Sequence, residues 1–280
     1  MFELFHRQNV FFKNFENIEN LSEEFPSANF GVNQFSHLTP EEFKRKHFGN
    51  FIFHRKPSNS SYISRKKVEP PKSLDYRNSG KVTLIKNQGN CGACWAFAVT
   101  AAIESQYLIH KNISLNLSEQ QLVSCVTGNY GCYGGDVVTT YRWILANHGQ
   151  IQESEYSFKG KNEACPISID SQRFPIKKYL WAGNSEDEIA AFISQNGPAT
   201  IAIDMPDFLQ HYIGGIIDLD VRGCRKVAAG GHGMLLVGYT PEYWIAKNSW
   251  GPKWGENGYI RFVRGKNFCN MIQQVTVPVI

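Results

Sequence analysis

The sequence has no apolar run long enough to span a bilayer, which excludes a membrane-spanning helix. It carries little net charge: +4 over 280 residues gives no broad basic surface, and no nucleic-acid partner is expected. No internal repeat is visible, which excludes a solenoid or a propeller. An apolar signal core is also missing, because Glu3 and Arg7 follow close behind Met1. That absence conflicts with the cysteines. Seven is an odd number, and it parses as three disulfides plus one free thiol in an oxidising compartment. The cysteine count has more weight here. We expect a secretory-pathway protein, lysosomal or extracellular, whose signal is left off or whose start is mis-assigned. Asn-x-Ser triplets at Asn20, Asn59, Asn112 and Asn116 are glycosylation candidates that fit the same route.

The length allows one large domain or two smaller ones. Phe5, Phe11, Phe12, Phe15, Ile18 and Leu21 fall near helical spacing, so a helix is predicted over 3–25, stopped by Pro26. Phe30 to Phe35 alternates like a short strand. Thr39, Pro40 and Glu42 are the N-cap, first turn and capping-box residues of another helix. Residues 49–73 have no periodicity. They include Arg65-Lys66-Lys67 and Pro70-Pro71 and read as an exposed, extended linker. From Leu74 the composition changes. Helices are predicted over 94–110, from Ser118 with Gln121 closing a capping box, and over 137–147 ending at Gly149. After about residue 175, strands are predicted over 199–205, 232–239, 243–247, 258–264 and 275–279, with one helix over 186–196. A helical half followed by a β-rich half predicts an α+β protein of two subdomains with a site in the cleft between them.

The stretch Gln88-Gly-Asn-Cys91-Gly-Ala-Cys94-Trp95 puts Cys94 where a turn becomes a helix. Backbone N–H groups and the helix dipole favour a thiolate there, so Cys94 is a candidate nucleophile. A thiol needs a base and an oxyanion donor. His232 leads into an apolar strand and Asn248 ends one. The Asn248 amide oxygen could accept from the histidine N–H, fixing the tautomer without adding negative charge. Gln88 and the Cys94 backbone N–H could form the oxyanion hole. Cys91-x-x-Cys94 also admits a zinc or redox reading. However, Cys125 and Cys132 are poorly spaced for zinc, and a thioredoxin-like motif would need a βαβ context.

The chain resembles the papain-like cysteine peptidases of the cathepsin L-like kind, in precursor form. The residues concerned are the Gln88–Phe97 stretch, Leu117-Ser-Glu-Gln-Gln-Leu-Val-Ser-Cys125, Gly131-Cys-Tyr-Gly-Gly135, His232 with its strand, and Asn248-Ser-Trp250-Gly. Gln152-Glu153-Ser154 and Gln172-Arg173-Phe174 add some resemblance to the mite group 1 peptidases. The resemblance implies a papain-like fold with a helical left half and a β-barrel-like right half. It makes Cys94 the nucleophile, His232 the base and acid, Asn248 the orienter, Gln88 the oxyanion donor and Trp250 a shield over the pair. It implies the disulfides Cys91–Cys132, Cys125–Cys165 and Cys224–Cys269, and no metal or cofactor.

By the same resemblance, residues 1–69 are an inhibitory propeptide and 70–280 the peptidase domain. Glu3, Arg7, Phe11, Asn14 and Ile18 follow one propeptide pattern, and Gly31-Val-Asn33-Gln-Phe35 follows a second. Ser22 and His37 depart from these patterns, and His37 is expected to contribute a pH trigger near pH 6. A separate helical interaction domain is the alternative for this segment. Gly134 and Gly135 are expected to bind substrate backbone. Asp136, Val137, Ala202, Gly230, Gly233 and Gln274 are expected to line a roomy pocket for the second residue before the scissile bond. That pocket should take large apolar side chains, with some tolerance of a basic one. The implied partners are protein or peptide substrates, the chain's own propeptide and cystatin-type inhibitors, for a monomeric endopeptidase. A catalytically silent relative used for binding is the rival.

Overall fold

The structure is a computed structural model that describes residues 2–51, 54, 69–166 and 171–280. Helix α1 (Phe2–Glu24) forms as expected and ends before Pro26. Ile18 and Leu21 are buried, but Phe5, Phe12 and Phe15 stay exposed, so only the C-terminal half of the apolar stripe packs. Strand β1 (Ala28–Phe30) is displaced from the predicted 30–35. The reason is local. Asn33 Oδ1 accepts from the Phe35 N–H and Ser36 Oγ from the Asn33 N–H, at 2.9 Å each, and these turn bonds compete with a ladder. Helix α2 (Pro40–His47) starts on the predicted capping box. Thr39 Oγ1 accepts from the Glu42 N–H, and the Glu42 carboxylate accepts from the Thr39 N–H. Most of the predicted linker, with Arg65-Lys66-Lys67, lies outside the described residues.

Strand β2 (Leu74–Asp75) precedes α3 (Cys94–His110), α4 (Glu119–Cys125) and α5 (Val137–Ala146). Cys94 to Tyr107 of α3 are all buried, as a central helix requires. Ser118 caps α4, but Gln121 does not close the box: its Oε1 accepts from the Ile151 N–H at 2.9 Å. The Ser118 N–H goes to Ile151 O instead, so a neighbouring chain satisfies the donor that Gln121 was expected to take. Asp136 caps α5, and Gly149, at φ +121°, closes its end by donating to Ile144 O. Disulfides Cys91–Cys132 and Cys125–Cys165 staple this lobe as expected.

The second lobe contains β3 (Lys178–Trp181), α6 (Glu186–Asn196), β4 (Ala199–Pro206), β5 (Tyr212–Ile217), α7 (Val221–Val227), β6 (Ala228–Tyr239), β7 (Tyr243–Lys247), β8 (Tyr259–Val263) and β9 (Val275–Val279). The predicted strands and α6 appear within a few residues of their expected ends. The sequence reading missed β3, β5 and α7. β5 carries Gly214-Gly215, which disguises a strand, and α7 is only two turns long. The strands run β1-β5-β8-β7-β6-β4-β9-β3, with β2 on β6. This path is open, which corrects the barrel-like expectation. The chain's N-terminal segment supplies β1 at one edge, paired antiparallel with β5 (Ala28 opposite Gly215). The third disulfide, Cys224–Cys269, ties α7 to the turn before β9.

The N-terminal segment shares the second lobe's core. Phe25, Phe30 and Phe43 lie in one buried cluster with Phe208, Tyr212 and Trp250. Each such ring is worth about 1.5–3 kcal/mol of apolar burial. Polar contacts fix its register. Asn14 Nδ2 donates to Ser36 O and Leu38 O, Gln34 Nε2 to Trp250 O at 2.6 Å, and Gln210 Nε2 to Phe35 O and Leu38 O.

Candidate active site

The first residue of α3 is Cys94, and Ala93 before it offers no side-chain cap. The turn is held in place by the Cys91–Cys132 bond and by the Gly92 N–H, which donates to Cys132 O at 2.9 Å. Cys94 is left free and buried. Burial pushes its thiol up to about 11, against the backbone N–H groups of Gly233, Trp95 and Cys94, which favour the thiolate. The helix-start argument for an acidic thiol therefore loses here to desolvation.

The base comes from the other lobe. His232 lies in β6 opposite Ile203 of β4, and Asn248 follows the last residue of β7. Their side chains meet at 2.7 Å, His232 Nε2 to Asn248 Oδ1. The Ser249 N–H donates to the same Oδ1 at 2.8 Å, so that atom acts as the acceptor and Nε2 must carry the proton. Nδ1 is left as the basic nitrogen; it is buried and without a partner. Its neighbour in sequence, Gly233, is the residue whose N–H reaches the Cys94 sulfur. Burial lowers His232 to about 4, opposed by the bond to Asn248. Trp250 packs on the imidazole with ring centroids 4.8 Å apart.

Gln88 completes the group. Its Oε1 accepts from Ser249 Oγ at 2.5 Å, which aims Nε2 into the cleft. That Nε2 donates to Cys91 O at 2.9 Å and to His47 O at 3.0 Å. His47 belongs to the N-terminal segment, so a peptide carbonyl already sits on the Gln88 amide. The same segment runs on through the cleft. Gly49 forms an antiparallel bridge with Gly231, and the Asn50 N–H donates to Tyr133 O at 2.8 Å. Phe48 packs edge-on against His232 and at a tilt against Trp250.

Residues 70–279 match the papain family cysteine protease. The chain belongs to the papain family of cysteine proteases. It is 36% identical over 294 residues to a cysteine proteinase of Trypanosoma brucei brucei, covering 98% of this chain but 62% of that protein's length. Its fold matches digestive procathepsin L 3 of the Tenebrio molitor larval midgut at TM-score 0.86 and 32% identity, over 100% of this chain and 93% of that one. It also matches, at TM-score 0.83 and 26% identity, a chain solved in work on the mite allergens Blo t 1 and Der p 1, over 99% and 94% of the two chains. This peptidase therefore has cathepsin L-like and mite relatives, as its sequence suggests.

In this papain-family peptidase the glycine-rich wall fits the covering segment closely. At Gly134, φ is +127° and an added Cβ would fall 2.3 Å from Asn50 O. Gly135 would strike Trp95, Gly230 lies under Phe48, and Gly231 and Gly233 lie under Phe51. Val137 and Ala202, both expected to line the pocket, are buried. Val137 packs in the helical lobe's core with Trp95 and Tyr141, and Ala202 is fully buried opposite Gly233 in the β4–β6 ladder. Asp136 and Gln274 do meet the covering segment, at His54.

The sequence reading missed His47 and Ser249, and it named Glu42 only for its capping box. Arg7 donates to both carboxylate oxygens of Glu42 and to Glu3, which clamps α1 on α2. The pairing itself had no sign in the sequence, because Glu42 lies 35 residues beyond Arg7. His37 is exposed and contributes only a backbone carbonyl to Arg7, whereas His47 is buried between Phe35, Phe43 and Trp250. Of the sequons, Asn20, Asn112 and Asn116 are exposed, and Asn59 lies outside the described residues.

Proposed function

We propose that the chain is the zymogen of a cysteine endopeptidase, with residues 1–69 an inhibitory propeptide and 70–280 the peptidase domain. Once the cover leaves, water and substrate re-enter, and the desolvation that holds Cys94 as a thiol is relieved. The Cys94 proton passes to His232 Nδ1. The thiolate adds to the scissile carbonyl, and the oxyanion takes hydrogen bonds from Gln88 Nε2 and the Cys94 N–H. The imidazolium returns the proton to the leaving amine as the C–N bond breaks, leaving an acyl-enzyme. His232 then takes a proton from water, whose oxygen attacks the thioester. Collapse releases the acid and restores the thiol. Asn248 keeps the ring in one tautomer, and Trp250 keeps water from that bond.

The observation that best supports this reading is the His47 carbonyl on Gln88 Nε2. It occupies the place an oxyanion would take, held by a segment that crosses the cleft. The segment thus inhibits by occupying the donor and by drying the Cys94 and His232 side chains. Three disulfides and exposed sequons support a secretory, lysosomal or extracellular setting. The test uses acid-treated chain and a fluorogenic peptide with a large apolar second residue. Processing to a product that begins near Pro70, followed by hydrolysis that Cys94→Ala abolishes, is expected. Processed, folded chain without hydrolysis would favour the silent binding relative.

A further inference from the structure

Asn248 is held by one end only. Its Oδ1 accepts from His232 Nε2 at 2.7 Å and from the Ser249 N–H at 2.8 Å, while its Nδ2 is buried and has no partner. The terminal torsion of an asparagine has no sharp staggered wells, so an amide fixed only at its oxygen can rock. Burying its N–H groups without an acceptor also costs stability. The residue that fixes the tautomer of His232 thus has a loose nitrogen end.

Asn248 lines a cavity between the lobes with about 20 Å³ of space open to the centre of a water molecule. One water needs about 10–15 Å³ by the same measure. Small residues make the space: Ala98 and Ala101 are one turn apart on α3, and Gly233 of β6 adds no side chain. Glu119 of α4 and Lys247 of β7 line the cavity as well, and both have spare capacity. Glu119 uses Oε1 for Lys86 at 2.8 Å, and a carboxylate has about four acceptor positions. Lys247 Nζ donates to Thr83 O at 2.9 Å and Thr83 Oγ1 at 3.0 Å, and the ammonium has a third N–H. Glu119, Lys247 and Asn248 are 2%, 5% and 3% exposed, so bulk solvent does not serve them. Two donors and an acceptor around one water-sized space match the roughly three hydrogen bonds of a typical buried water.

We propose that this cavity binds one structural water, which accepts from Asn248 Nδ2 and Lys247 Nζ and donates to the Glu119 carboxylate, and that Glu119 is thereby a positioning residue for His232. Glu119 acts only through the water and the Asn248 amide. The bond to Asn248 favours the imidazolium against the effect of burial, so a steadier amide supports the charged form better. This rests on the peptidase function proposed above and adds a residue of α4 to that site.

The first readout needs no activity. A high-resolution crystal structure of the intact chain should show one ordered water within about 3.2 Å of both Asn248 Nδ2 and a Glu119 carboxylate oxygen. No water there, or one that misses either atom, overturns the proposal. The second readout compares Glu119→Gln with Glu119→Leu in the processed peptidase. Both remove the charge, and only Gln keeps an end that binds water. Relative to Gln, Leu should lower kcat about 3- to 10-fold with KM unchanged. Activity needs the imidazolium, so the alkaline limb of the kcat/KM profile should also move to lower pH in Leu. Equal kcat and equal profiles overturn the positioning role. If Leu does not fold, Ala101→Val takes its place, since it fills the space and leaves every polar group; it is compared with wild type and should show the same two changes. A wild-type processed chain that holds the water but hydrolyses no peptide would instead overturn the peptidase reading.

Discussion

His47 shows how one residue can tie the cover to pH. Burial, then the neighbouring His232 and Lys46, push its pKa down to about 3. Between about 6.5 and 3 the released segment binds a proton that the docked one refuses. The docked state therefore keeps its full stability above about pH 6.5 and loses about 1.4 kcal/mol per pH unit as acidity increases toward 3. His211, in the turn before β5, is also buried and lowered to about 4. His47→Phe should shift the pH midpoint of self-processing downward, measured by N-terminal sequencing across a pH series. An unchanged midpoint would remove His47 from the trigger. At Gln88, replacement by Ala should lower kcat by about 10²–10³-fold with a small change in KM, the behaviour of a lost oxyanion donor. An equal loss expressed wholly in KM would mean a binding role.

Between elements, a buried charge cluster joins the helices to the sheet behind the site. Lys86 Nζ lies 2.9 Å from Glu104 of α3 and 2.8 Å from Glu119 of α4. Lys247, the residue before Asn248, donates to Thr83 O at 2.9 Å, and Thr83 Oγ1 donates to Glu104. Burial raises Glu119 to about 7 and lowers Lys247 to about 8. Lys86→Met would leave two buried carboxylates without their cation. It should cost about 3–5 kcal/mol in denaturant unfolding of the processed enzyme, and a loss under 1 kcal/mol would contradict this account. Much of the element pattern was legible in the sequence. The helix from Cys94, the Thr39 capping box and five of the strands followed from local periodicity and cap chemistry, which act over a few residues. What stayed hidden depends on distant partners in some places and on local competition in others. Gln121 turns to Ile151, β5 hides behind two glycines, and the 30–35 strand gives way to an Asn33 turn. The pairing of Arg7 with Glu42 had no local sign. In the site, Cys94, His232, Asn248 and Gln88 were named from type and spacing, while His47 and Ser249 needed the fold.

At the scale of the whole molecule, the cover and the enzyme are built as one object. Phe25 just after α1, Phe30 of β1 and Phe43 of α2 enter the second lobe's core, β1 extends its sheet, and residues 47–51 cross the cleft. Phe43→Ala should cost the docked state about 3–5 kcal/mol. It should raise activity at neutral pH, read as peptide hydrolysis before any cleavage of the chain. The central claim is that Cys94 is a competent nucleophile kept silent by its own N-terminal segment. Mass spectrometry of the intact chain after exposure to an epoxide or vinyl sulfone inhibitor tests it most directly. The account predicts no adduct on the full-length chain at neutral pH and one adduct per chain, at Cys94, after acid processing. Equal labelling before and after processing would contradict the cover, and no labelling of processed, folded protein would contradict the nucleophile.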